Sequence, residues 1–306
     1  MENKSVIYID YLDSCEKILS NKFPRWIKVI VYKFLNYFGC VKSNENKIEL
    51  YCLSEDKINQ KMINNLKREL LLINSRSIVL SNLLLQNTII VTILRNLGYN
   101  ILSGKWLYKF LCYDIVQKIA YIRNKKISDL EITILSNENS DINIENIKLL
   151  AQECKILNVI TKNLDNFKHV ENLLFEQYGN IINVSTNTLK ACKYSDIILN
   201  FDFSIDEIKK CNFKKGNILV QFNKEKFENR YGTTIVFYKL NLPVKYSKLF
   251  KENKNYNQEI FYESLLYYKT SFKNLRKILK KDGISIKYFE GCNGKLPFNQ
   301  IKNNLL

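Results

Sequence analysis

Five short apolar segments, recurring at intervals between residues 130 and 222, constrain the fold of this chain more than anything else in it. They occupy residues 130–135, 156–160, 181–184, 197–201 and 218–222. Each is rich in Ile, Leu and Val without polar alternation, the pattern of a strand buried on both faces. Segments with helical periodicity separate them. Ile144, Ile147, Leu150, Ala151 and Cys154 share one helix face between the first two. Phe167, Val170, Leu174 and Tyr178 do the same between the second and third, where Gly179 supplies a helix stop. A shorter helix over 188–193 precedes the fourth strand. Short strands joined by single amphipathic helices predict right-handed βαβ units stacked into a doubly wound, mainly parallel sheet. The expected fold class is α/β, with this sheet forming the central lobe.

The flanks extend the same logic. A chain of 306 residues suits two lobes with separate cores. Before residue 104, strands are expected at 6–9, 48–53, 77–80 and 100–102. Helices are expected at 26–38, 57–71 and 88–97, with Gly39 and Gly98 as stops. Residues 1–104 therefore read as an N-terminal α/β lobe. From Lys105 to about Arg123, Leu107, Leu111, Ile115, Ile119 and Ile122 line one side of a single long helix, giving a connecting helix over 105–126. Asp114 lies within it, either solvated or facing a cleft. The central domain covers 127–225. Residues 226–306 form a strand and helix region, beginning near 234–238, that packs back on the lobes. Phe261, Leu265, Tyr268, Phe272, Leu275 and Leu279 alternate at spacings of four and three. That seam predicts one helix over 258–280, packed on a lobe or, alternatively, forming a homodimer contact.

A net charge of +17 raises the question of nucleic acid. The composition argues against it. There are 40 Lys and only 7 Arg, scattered rather than clustered and accompanied by many Asn and Ile. That is the imprint of an A+T-rich bacterial genome, whereas base and phosphate readers favour the Arg fork. Eight cysteines, at 15, 40, 52, 112, 154, 192, 211 and 292, show no CxxC pair. With no secretory signal, a reducing cytoplasm is the expected setting. The apolar stretch 78–94 carries Asn82, Gln86 and Asn87, which excludes a membrane span.

Residues 127–223 resemble, in layout, the NADP-binding Rossmann domain of the shikimate dehydrogenase and glutamyl-tRNA reductase group. The second strand runs into Thr161-Lys162-Asn163, where the group carries an Asn-Arg-Thr-like segment contacting the adenosine phosphate of NADPH. The helix and strand over 189–200, Leu-Lys-Ala-Cys-Lys-Tyr-Ser-Asp-Ile-Ile-Leu-Asn, match the group's stretch before the nicotinamide-side loop. The resemblance implies NADP as a cofactor. One feature departs from it. The turn after the first strand is Ser136-Asn137-Glu138-Asn139-Ser140-Asp141, without the glycines that let backbone N–H groups approach a pyrophosphate. Asn137 and Asn139 tolerate positive φ and would have to stand in for them, while Glu138 and Asp141 repel phosphate.

A ligand of a doubly wound sheet lies beyond the carboxyl ends of its strands. The candidate cofactor-binding residues are therefore Asn137, Asn139, Thr161, Lys162, Asn163, Asn200 and Asp202. No catalytic residue is nominated. The single histidine, His169, rules out a histidine-rich metal site. There is no Gly-x-Ser-x-Gly elbow and no P-loop. Asp202, Asp206 and Glu207 form either a divalent-ion cluster or a charged helix start. The first functional expectation is a Rossmann-like protein without tight dinucleotide binding, in a regulatory or structural role, meeting an unknown small molecule or protein. The second is an NADP-dependent oxidoreductase with an atypical phosphate turn, and the third a basic nucleic-acid binder.

Overall fold

A computed structural model describes residues 6–12, 41–44, 47–51, 60–73, 75–179, 181–267 and 271–302, with isolated positions between 24 and 33. The chain divides into two compact units. The first comprises Met1–Gly104 and Val244–Lys269, the second Lys105–Pro243 and Thr270–Leu306.

In the first unit, β1 (Val6–Leu12), β2 (Val41–Asn44), β3 (Lys47–Tyr51), β4 (Ser77–Leu80) and β5 (Asn100–Ile101) form a sheet of order β2-β3-β1-β4-β5. All neighbours are parallel except β2 and β3. The period of two along β1 sends Ile7 and Ile9 to one face, where they meet Met62, Leu66 and Leu70 of α1 (Gln60–Leu72). Leu84 of α2 (Asn82–Gln86) and Ile90 and Leu94 of α3 (Thr88–Asn96) complete that core. On the other face, Val6 and Val79 pack with Leu102, Tyr256, Ile260 and Phe261. Positions 26, 27, 29–31 and 33 are helical; the rest of the helix expected over 26–38, with its Gly39 stop, lies outside the described residues.

The second unit opens with α4 (Lys105–Phe110) and α5 (Cys112–Ile122). The single helix expected from Lys105 to Arg123 is thus two. The chain breaks at Leu111, whose ψ of 12 leaves the helical range, and the apolar stripe conceals the break because Leu111 and Cys112 are both buried. Six parallel strands follow: β6 (Glu131–Leu135), β7 (Ile156–Ile160), β8 (Asn183–Ser185), β9 (Ile197–Asn200), β10 (Ile218–Gln221) and β11 (Thr233–Ile235). Their order, β11-β10-β9-β6-β7-β8, counted from β6 as 1, is 3-2-1-4-5-6 read from the β8 edge, the order of a dinucleotide-binding sheet. The fold is α/β, with a Rossmann-like sheet as its centre. Every residue of β9 and β10 is buried, so the continuous apolar runs follow from helices lying on both faces. These are α6 (Asp141–Ala151), α7 (Leu164–Tyr178), α8 (Thr188–Tyr194) and the short α9 (Ile205–Ile208). Gly179, at φ 67, closes α7 in the left-handed conformation that a side chain would oppose.

Beyond β11, β12 (Phe237–Asn241), β13 (Ser285–Gly291) and β14 (Gly294–Lys295) make a small antiparallel sheet. Helix α10 (Val244–Glu252) and α11 (Gln258–Leu266) belong to the first unit, whereas α12 (Phe272–Asp282) and α13 (Phe298–Lys302) belong to the second. This corrects the single helix expected over 258–280. Tyr267, at φ −58 and ψ 131, ends α11, and Ser271 caps α12 in extended conformation. The four-three spacing therefore runs across two helices that belong to different units. Among the described residues, no helix is long and apolar enough to cross a membrane.

Candidate functional site

Strands β6 and β9 are neighbours, yet the chain leaves them in opposite directions, toward β7 and β8 from one and toward β10 and β11 from the other. The crevice beyond their carboxyl ends is the place where such a sheet holds a ligand. Two loops meet there, 136–140 after β6 and 201–204 after β9.

Asp202 controls the first of these loops from the second. Its carboxylate accepts the N–H of Asn137 at 2.8 and 3.0 Å and the N–H of Glu138 at 2.9 Å. The Ser136 hydroxyl donates to it at 3.2 Å. Consecutive backbone N–H groups facing one anion are what a phosphate-binding turn offers its ligand; here the anion is part of the chain. The turn is also filled from below. Buried Asn143 of α6 donates through Nδ2 to Ser136 Oγ at 3.1 Å and to the Glu138 carbonyl at 2.9 Å. Neither Asn137 nor Asn139 adopts positive φ; among the described residues other than glycine, only Asn124 and Lys224 do. A pyrophosphate does not fit this turn, since its donors are already engaged and no glycine opens space beside them.

The other predicted positions divide into those drawn to this turn and those that are not. The Asn137 side chain reaches β7, its Oδ1 accepting the Lys162 N–H at 2.9 Å. The Lys162 ammonium pairs with Glu207 of α9 at 2.5 Å. Slight burial pushes the Glu207 carboxyl up, but Lys162 and the Ser204 N–H and hydroxyl outweigh it and hold the group below its ordinary value. Asn200 is fully buried. Its Nδ2 donates to the Phe203 carbonyl at 2.9 Å and to Gln221 Oε1 at 2.6 Å, and its Oδ1 accepts the Phe203 N–H at 2.9 Å. Asn200 thus shapes the loop that presents Asp202. Thr161 is buried and accepts the Asn163 N–H at 3.0 Å. Asn163 caps α7 without a side-chain bond, and Asn139 faces solvent.

Sequence reasoning missed Ser136 and Asn143 as partners of the turn. The available signal was a glycine-free turn facing an acid just past β9. Glu207 forms a capping box with Ser204, and Asp206 pairs with Lys209 at 3.1 Å. No group of three His, Cys, Asp or Glu side chains placed to hold a metal occurs among the described residues. The described cysteines, 112, 154, 192, 211 and 292, are free thiols, and His169 is exposed.

No protein-family pattern matches the sequence, and no curated protein matches it. Solved structures do. L-tryptophan dehydrogenase from Nostoc punctiforme superposes with a TM-score of 0.33 at 12% identity, covering 92% of this chain and 84% of that one. Shikimate 5-dehydrogenase from Listeria monocytogenes, solved with shikimate and NAD, does so at 0.31 and 8%, covering 91% and 97%. The resemblance to both is weak and concerns layout.

Proposed function

We propose that this protein is a Rossmann-like binding module that works without a tightly held dinucleotide, in a regulatory or structural role. The Asp202 carboxylate seated on the 136–138 turn is the observation that carries this reading. A bound pyrophosphate would have to displace it or lie against it. Two like charges about 4 Å apart at an effective dielectric of about 20 repel by about 4 kcal/mol, or about a thousandfold in affinity. Titration calorimetry of the full chain with NADPH and with NADH tests the proposal. No heat of binding is expected up to about 1 mM of either, whereas a dissociation constant below about 100 μM would overturn it.

A second reading, an NADP-dependent oxidoreductase with an atypical phosphate turn, is supported by one further feature. Lys162, Asn163 and Lys168 line an open hollow of about 580 Å³ at the start of α7, where a phosphate on the adenosine side would be favoured by charge. Both lysines already have carboxylate partners, Glu207 and Asp165. This reading requires NADPH to bind more tightly than NADH and Lys162→Gln to remove the difference.

A further inference from the structure

The second unit contains another cavity, of about 400 Å³, within the range of small-molecule sites. It is built from α5, α12, β12 and β13. Most of its exposed wall is hydrocarbon. Leu111, Leu240, Leu279 and Ile286 are all buried, and Ile284 adds to them at the edge.

The charged groups of this cavity fall into two sets. Asp114 and Arg276 neutralise each other through a two-pronged pair, Nη1 to Oδ2 at 3.0 Å and Nη2 to Oδ1 at 3.3 Å. The guanidinium is further fixed over the Tyr113 ring, 5.1 Å from its centroid. This pair is rigid and has no charge to spare. Lys118 and Lys280 are different. Lys118 stands over the rings of Tyr121 and Phe298, at 5.5 and 5.9 Å, and Lys280 lies in the last turn of α12. Among the described residues neither has a carboxylate partner. The cavity therefore combines an apolar interior with two uncompensated ammonium groups.

We propose that it binds a small amphipathic anion, with a carboxylate or phosphate head between Lys118 and Lys280 and a hydrocarbon body against the leucines and isoleucines. Burial of the body supplies attraction without direction. The ammonium groups supply the sign preference, since a cationic head of the same shape would meet like charge. The inference stands apart from the state of the 136–138 turn, because it shares no residue with it.

The test is a calorimetric titration of the full chain with octanoate, octyl phosphate and octylamine. Either anion is expected to bind at least about tenfold more tightly than the amine, a difference of about 1.4 kcal/mol. The tighter anion identifies the head group. The double variant Lys118→Gln/Lys280→Gln is expected to keep its melting temperature and lose about tenfold in anion affinity. Ser285→Glu, at an exposed rim position, is expected to weaken the anions and favour the amine. Equal binding of amine and anions, unchanged anion affinity in the double variant, or no binding of any of the three at about 10 mM would each overturn the proposal.

Discussion

Replacing Asp202 with Ala should destabilise the second unit and loosen one specific turn. The carboxylate accepts from two backbone N–H groups and one hydroxyl, at 2.8 to 3.2 Å. Hydrogen bonds to a charged group contribute about 1.5–3 kcal/mol each when their loss leaves the partner dry. Here Asn137 is half-buried and Glu138 exposed, so water replaces much of what is lost. The low end of that range, once for each N–H, with a further discount for solvent, gives a net cost of about 2 kcal/mol. Asp202→Asn should cost less, since one acceptor oxygen survives. Chemical denaturation gives the stability change, and native-state hydrogen exchange gives the location. The amides of Asn137 and Glu138 should lose protection while those of β9 and β10 keep theirs. If Asp202→Ala unfolds within about 0.5 kcal/mol of the parent and those two amides exchange as before, the carboxylate does not hold the turn, and the case against a pyrophosphate falls with it.

Three further outcomes follow from other parts of the second unit. Tyr108 is fully buried, stacked on Tyr238 at 4.9 Å and beside Phe222 at 4.6 Å, and its hydroxyl has no hydrogen-bond partner among the described residues; Tyr108→Phe should be neutral or raise stability by up to about 1 kcal/mol in thermal melts, and a loss would reveal a hidden partner. Burial pushes the Asp196 carboxyl up, but the Glu131 N–H and the ammonium groups of Lys214 and Lys125 outweigh it, so the group sits below its ordinary value. Its contribution is complete above the unfolded value of about 3.9 and fades as pH falls through the lower folded one. Asp196→Asn should therefore lower stability at neutral pH and lose less than the parent on acidification below pH about 4, as read from denaturation midpoints across that range. A Cβ on Gly232 would stand 2.1 Å from the Asn217 carbonyl oxygen, so Gly232→Ala should cost about 1–3 kcal/mol by calorimetry; an unchanged melting temperature would show that the 229–233 loop can yield.

Four strands of the Rossmann-like sheet, β6, β7, β9 and β10, were legible because they are largely buried and apolar, as Ile197-Ile198-Leu199 is. The edge strand Val41–Asn44 leaves no such trace: it is too brief and too polar to separate from a loop, and its pairing depends on β3 being in place. Both helix breaks were illegible for a common reason: a helical stripe records which residues are covered, not by what. Phe261 and Leu275 are each buried, but in different units. At the strand ends, topology drew attention to Asp202, whose carboxylate the structure places on the 136–138 turn. Its role was hidden because a carboxylate at such a position reads as a ligand contact until the backbone N–H groups it accepts from are located.

The path of the chain through the first unit bears on how the protein is made. Val6, Val79 and Leu102 lie on a face covered by Tyr256, Ile260 and Phe261, which leave the ribosome only after residues 105–243. For that interval the nascent lobe offers water a greasy surface whose natural cover has not been synthesised. An isolated 1–104 fragment should consequently precipitate, and a peptide spanning 244–269 should rescue it.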